Sequence, residues 1–106
     1  MQDWAALELA GQQTGDRVWR MPLWQTYRKK MENSPLADLN NISLTPGGGS
    51  CTAAAFLSVF TTCPAWLHLD IAGVMSNEGE VGYLGKGMSG RPTRTIVNFV
   101  QSLQTD

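Results

Sequence analysis

The sequence predicts an α/β fold whose elements run helix, helix, strand, helix, strand, helix. Three observations predict it. Apolar residues recur at helical spacing twice in the first third of the chain and again in the last, two short apolar runs are bounded by turn formers, and a strongly apolar helical stretch joins those runs. A strand–helix–strand unit of this kind implies a parallel strand pair.

Trp4, Leu7 and Gly11 fall at i, i+3 and i+7, and Ala5, Ala6, Leu9 and Ala10 fill in between them, so a helix is predicted over 3–13 with Gly15 as its stop. Val18 to Pro22 reads as extended, because the residue before a proline is pushed out of the α region. The same spacing at Trp24, Tyr27 and Met31 predicts a second helix over 23–32 that buries all three, ended by Asn33-Ser34-Pro35.

Leu36 to Ile42, bounded on both sides by turn residues, is assigned as the first strand. Thr45-Pro46-Gly47-Gly48-Gly49-Ser50 is a flexible loop, and Ser50 is placed to cap the next helix by accepting from the amides of Thr52 or Ala53. That helix, 51–60, is apolar nearly all round, the pattern of a helix buried between layers.

Trp66 to Ile71, between Pro64 and Gly73, is the central strand. Ligands of open α/β sheets gather beyond strand carboxyl ends, which makes Ala72 through Met75 a pocket wall. The other reading of Met75 is a gap-filler in a core. Residues 76–92 form a loop rich in glycine, and the last helix starts near Pro92, with Ile96, Phe99, Val100 and Leu103 as the stripe that docks on the sheet. Two short strands cannot cover their own edges and faces. The chain therefore reads as part of something larger.

A net charge of −1 over 106 residues, with few and scattered basic side chains, gives no phosphate-tracking surface and excludes a nucleic-acid partner; Arg28-Lys29-Lys30 reads as a solvated helix face. No basic leader with an apolar core opens the chain, and no run approaches the eighteen or so apolar residues of a membrane span. A soluble, cytoplasmic protein is expected, with no membrane partner. Cys51 and Cys63 flank a helix without metal-site spacing and are expected to be buried thiols, and Asn41-Ile42-Ser43 is read as a chance sequon.

Gly85-Lys86-Gly87-Met88-Ser89-Gly90 fits a dinucleotide fingerprint in letters only, because no strand leads directly into it and no strand with an acidic end follows. Gly47-Gly48-Gly49-Ser50 lacks the lysine of a phosphate loop. His68 is the single histidine, and Ser50, Ser58 and Ser89 have no nucleophile-elbow setting. Asp38 and Asp70 read as caps or partners of backbone amides rather than as a catalytic pair.

Five segments, in order and spacing, resemble one family: residues 14–23 (Thr-Gly-Asp-Arg-Val-Trp-Arg-Met-Pro-Leu), 37–42 (Ala-Asp-Leu-Asn-Asn-Ile), 51–57 (Cys-Thr-Ala-Ala-Ala-Phe-Leu), 68–75 (His-Leu-Asp-Ile-Ala-Gly-Val-Met) and 87–95 (Gly-Met-Ser-Gly-Arg-Pro-Thr-Arg-Thr). The chain is similar to the leucyl aminopeptidases, the cytosolic M17 metallopeptidases, from about Trp4 onward. The resemblance implies that residues 1–106 are the carboxy-terminal segment of a catalytic domain, the last portion of a mixed, mainly parallel sheet flanked by helices. It implies a parent of several hundred residues that releases N-terminal amino acids, leucine preferred, from peptide substrates as a homohexamer, using two divalent metals, zinc or manganese. The family's metal motifs and its Asn-Thr-Asp-Ala-Glu-Gly-Arg signature are absent from these residues, so no catalytic or metal-binding residue is carried over, and the chain alone is expected to be inactive. Ala72 and Met75 stand where the family lines the pocket for the substrate's first side chain. The competing expectation is a short non-catalytic relative, used as a structural or interaction module.

Overall fold

The computed structural model describes residues 2–104. They fall into two units, one continuous from Arg20 to Leu69, the other built from the residues up to Trp19 and those from Asp70 onward.

In the two-segment unit, helix α1 (Gln2–Thr14) packs against the last helix of the chain, α4 (Thr93–Ser102). Leu7 and Ala10 of α1 are buried, and Thr95 of α4 is fully enclosed. Gly15 bonds back to the Gly11 carbonyl at 2.9 Å and sits at φ +89°, which turns the chain over Gly11 so closely that a Cβ there would lie 3.1 Å from the Arg17 backbone. Gly11 is thus required by a backbone crossing rather than by helix propensity. The same unit holds a 3₁₀ turn, Ala72–Val74, and a two-stranded antiparallel ladder, β1 (Ser76–Asn77) with β2 (Gly87–Met88), in the register Ser76 to Met88 and Asn77 to Gly87.

In the continuous unit, α2 (Gln25–Glu32) packs against α3 (Gly49–Ser58) around Met31, Cys51 and Ala55, all buried. The helix α2 begins two residues later than the spacing predicts and leaves Trp24 outside it, 65% exposed and stacked on Tyr27 at 6.1 Å. Only Met31 of the expected buried trio is enclosed. The helix α3 starts before Ser50, so Ser50 lies inside it and is not its cap; Gly48 takes that place at φ +65° and its carbonyl accepts from Thr52 N at 2.8 Å. Leu57 and Phe60 are exposed, so within these residues the expected burial of this stretch between layers is not met.

Both predicted strands are absent. At 36–42, Ser34 Oγ accepts from the amides of Leu36 and Ala37, and Asn40 donates to the carbonyls of Met31 and Asn33 through its backbone and side-chain amides. Local side-chain bonds thus take backbone groups that a ladder needs. The run 66–71 finds no ladder among the described residues and is split between the two units after Leu69. The expected parallel pair does not form here, and the sheet that does is antiparallel and lies in the region read as a loop. For lack of the expected sheet, α4 docks on α1. Its buried contact is Thr95, and Ile96, Val100 and Leu103 stay about half exposed. Cys51 is a buried thiol as expected; Cys63 is not, and lies exposed.

Candidate functional site

The residues singled out as a pocket wall sit on the 3₁₀ turn. Asp70 starts it, its Oδ1 accepting from Ala72 N at 3.0 Å, and Val74 N closes it on the Ile71 carbonyl at 3.1 Å. Side chains three residues apart eclipse in 3₁₀ geometry, so Ala72 and Met75 leave the turn on the same side. Ala72 is exposed and Met75 is 51% exposed. A turn, and not the carboxyl end of a strand, brings the two together.

The exit from this turn is held by residues that the sequence reading did not select. Ser89 donates its amide to the Met75 carbonyl at 2.8 Å and its hydroxyl to the Val74 carbonyl at 2.5 Å. The same hydroxyl accepts from Arg91 N at 3.2 Å and Arg91 Nε at 3.1 Å, and Arg91 Nη2 reaches the Ser76 carbonyl at 3.1 Å. One donor and two acceptor positions exhaust a hydroxyl. At the end of β1, Asn77 is fully enclosed, and its side-chain amide donates to the carbonyls of Val81, Leu84 and Gly85 at 3.1–3.2 Å while Oδ1 accepts from Val81 N at 3.1 Å. An asparagine at the head of a glycine-rich stretch was the available signal, since its short amide commonly organises turns.

Elsewhere in this unit Arg94 forks onto Asp16, whose side chain is 8% exposed. The hydrogen bond to Asp16 raises the Arg94 pKa against an opposing desolvation, and Tyr83, over whose ring the guanidinium lies at 4.5 Å and to whose hydroxyl it donates, adds to the rise. In the other unit His68 stacks beside Trp66 with ring centres 6.1 Å apart, and Asp38 is exposed. A cleft of about 730 Å³ there is bordered by Glu32, Asp38, Phe56 and Phe60, and a smaller one of about 450 Å³ by Lys29, Lys30 and Leu44. Neither includes Ala72 or Met75.

Among the described residues no three His, Cys, Asp or Glu side chains converge as metal ligands. The residues present therefore do not fit the two-metal centre that the resemblance implies for the parent. No described helix is long and apolar enough to cross a membrane.

The sequence model of the cytosol aminopeptidase family, catalytic domain, matches residues 1–97. A cytosol aminopeptidase of Xenopus tropicalis is 61% identical over 104 residues, which are 97% of this chain and 20% of that protein. The cytosol aminopeptidase of Sus scrofa is 55% identical over 103 residues, again 97% of this chain and 20% of the relative, and that of Dictyostelium discoideum is 50% identical over 102 residues, 95% and 19%. The chain spans about a fifth of the length of these relatives. Matched over nearly its whole length by the family's catalytic domain, it belongs to the cytosol aminopeptidase family.

Proposed function

We propose that the chain is the carboxy-terminal segment of the catalytic domain of a leucine-preferring aminopeptidase that releases N-terminal residues from peptides in the cytoplasm. The observation that carries this reading is 61% identity to a cytosol aminopeptidase along nearly the whole chain. Ala72 and Met75 contribute part of the pocket for the substrate's first side chain. Their shared side of one turn supports the assignment, because a small residue beside a flexible thioether leaves room for, and packs on, a branched apolar group.

The segment supplies scaffold and pocket wall. The two divalent metals, zinc or manganese, belong to residues of the parent outside this segment, whose own side chains do not fit them, and the segment alone does not hydrolyse peptides. In the parent, which assembles as a homohexamer, residues 66–71 join a mainly parallel sheet whose other strands supply the ladder partners missing here. Exposed apolar side chains support a larger fold around the segment: Leu36, Ile42, Leu44, Phe60 and Met88 are each mostly solvent-facing.

The test is the size and activity of the native protein, detected with an antibody to residues 79–91. A product of several hundred residues that cleaves a leucyl chromogenic substrate, and loses that activity to a chelator, is expected. A native product of 11.6 kDa without activity would instead make the chain a non-catalytic relative acting through binding.

A further inference from the structure

We infer that Ser89 is a positioning residue that fixes where Met75 stands and thereby tunes the preference for a branched apolar substrate side chain over a small one. The inference rests on the assignment of Met75 to the pocket. Three consecutive carbonyls, those of Val74, Met75 and Ser76, are held by two residues of the far strand's exit. Ser89 takes the first two through its hydroxyl and its amide, and Arg91 takes the third. Immediately beyond, Ser76 enters the ladder opposite Met88.

The Met75 side chain itself is half exposed, so its place is set largely by its backbone. Of the bonds on the three carbonyls, a substitution can remove two, the Ser89 hydroxyl bond to Val74 and the Arg91 guanidinium bond to Ser76. Arg91 depends on the same oxygen, accepted there from both N and Nε. Removing the hydroxyl therefore frees the Val74 carbonyl and takes from Arg91 the acceptor of its N and Nε, leaving its Nη2 bond to Ser76. A small substrate side chain does not reach Met75. A leucyl side chain does, and discrimination by apolar pockets changes by about tenfold or more per methylene of fit.

The experiment measures kcat/KM for a leucyl and an alanyl chromogenic substrate in the full-length enzyme carrying this segment, with Ser89→Ala, Ser89→Thr and Met75→Ala. The leucyl-to-alanyl ratio is expected to fall about fivefold to tenfold in Ser89→Ala, as for the loss of one hydrogen bond, and to stay within about twofold of the parent in Ser89→Thr, which keeps the hydroxyl. A purely structural loss lowers both substrates together and leaves the ratio alone. An unchanged ratio in Ser89→Ala beside a lowered one in Met75→Ala overturns the role of Ser89. An unchanged ratio in Met75→Ala overturns the pocket assignment beneath it. If Ser89→Ala does not fold, Ser89→Cys, which keeps the side chain's connectivity but offers only a weak donor, takes its place with the same two outcomes.

Discussion

Arg94 and Asp16, 78 positions apart in the chain, meet fork to fork: Nε lies 3.0 Å from one carboxylate oxygen and Nη2 lies 3.1 Å from the other. A bidentate pair fixes direction as well as distance. It ties the start of α4 to the segment that leaves α1, beside the Asp16 carbonyl that Thr95 binds.

Because the Arg94 side chain is 45% exposed, solvent screens part of the attraction and the pair contributes only modestly to stability. Arg94→Lys and Asp16→Asn are each expected to lower hydrogen-exchange protection of the α4 amides severalfold, about fivefold at most. The double substitution should lose less than the sum. Fully additive losses would show that the two side chains do not act on each other.

Thr95 is the enclosed centre of the helix pair. Its hydroxyl lies 2.8 Å from the Asp16 carbonyl and 2.7 Å from the Thr14 hydroxyl, which lies 3.0 Å from the Ala10 carbonyl. Three contacts share two protons. Thr95→Val keeps the volume and removes the donor, and is expected to destabilise by about 1–3 kcal/mol, whereas Thr95→Ser keeps the hydroxyl and loses about 1 kcal/mol with the methyl group. Thermal unfolding of both variants decides the matter, since a more damaging Ser would mean that packing, not hydrogen bonding, dominates.

Asn77 faces three carbonyls with one amide group. Asn77→Asp replaces the donor by a second acceptor and sets oxygen against oxygen without solvent. Limited proteolysis within residues 78–86 should quicken about tenfold, more than in Asn77→Ala. Equal rates in parent and Asp variant would remove Asn77 as the organiser of this loop.

Glu80 sits in that loop with Oε2 accepting from Glu78 N at 2.9 Å. Its own backbone amide first, then that of Glu78, lower its pKa from the ordinary value of 4.5. A lowered folded-state pKa makes a contribution that is present above the ordinary value and lost as pH falls through the lowered one. Exchange of the loop amides should therefore speed up below about pH 4.5 beyond what solvent chemistry gives, and Glu80→Gln should abolish the extra acceleration. A Gln variant with an unchanged pH profile would assign the effect to another group.

The helices were legible because their signals are local. Spacing at Trp4 and Leu7 and the glycine at 15 place α1 within a residue at either end. The strands were not, for an equally physical reason. Apolar alternation or a short apolar run says that a segment can be buried, while a ladder exists only where a partner presents its amides. At 36–42 Ser34 and Asn40 supply competing bonds, and at 66–71 no ladder partner stands beside the run among the described residues. The stripe on α4 was read as an anchor, yet the enclosed residue is Thr95, whose partner in α1 lies 81 positions earlier and is invisible to any window of sequence. Ala72 and Met75 were singled out by the resemblance and by the expected carboxyl end of a strand that does not form, whereas Ser89 and Arg91 act on backbone carbonyls, which carry no residue code to read.

The unit that joins both ends of the chain also sets an order of events at the ribosome. With 81 positions between Thr14 and Thr95 and synthesis at about 5–20 residues per second, α1 is in solution for about 4–16 s before α4 has been made. Within this unit the Thr14–Thr95 contact therefore closes only after the whole continuous unit, Arg20 to Leu69, has been synthesised, so the helix pair is completed later than the unit encoded between its two halves.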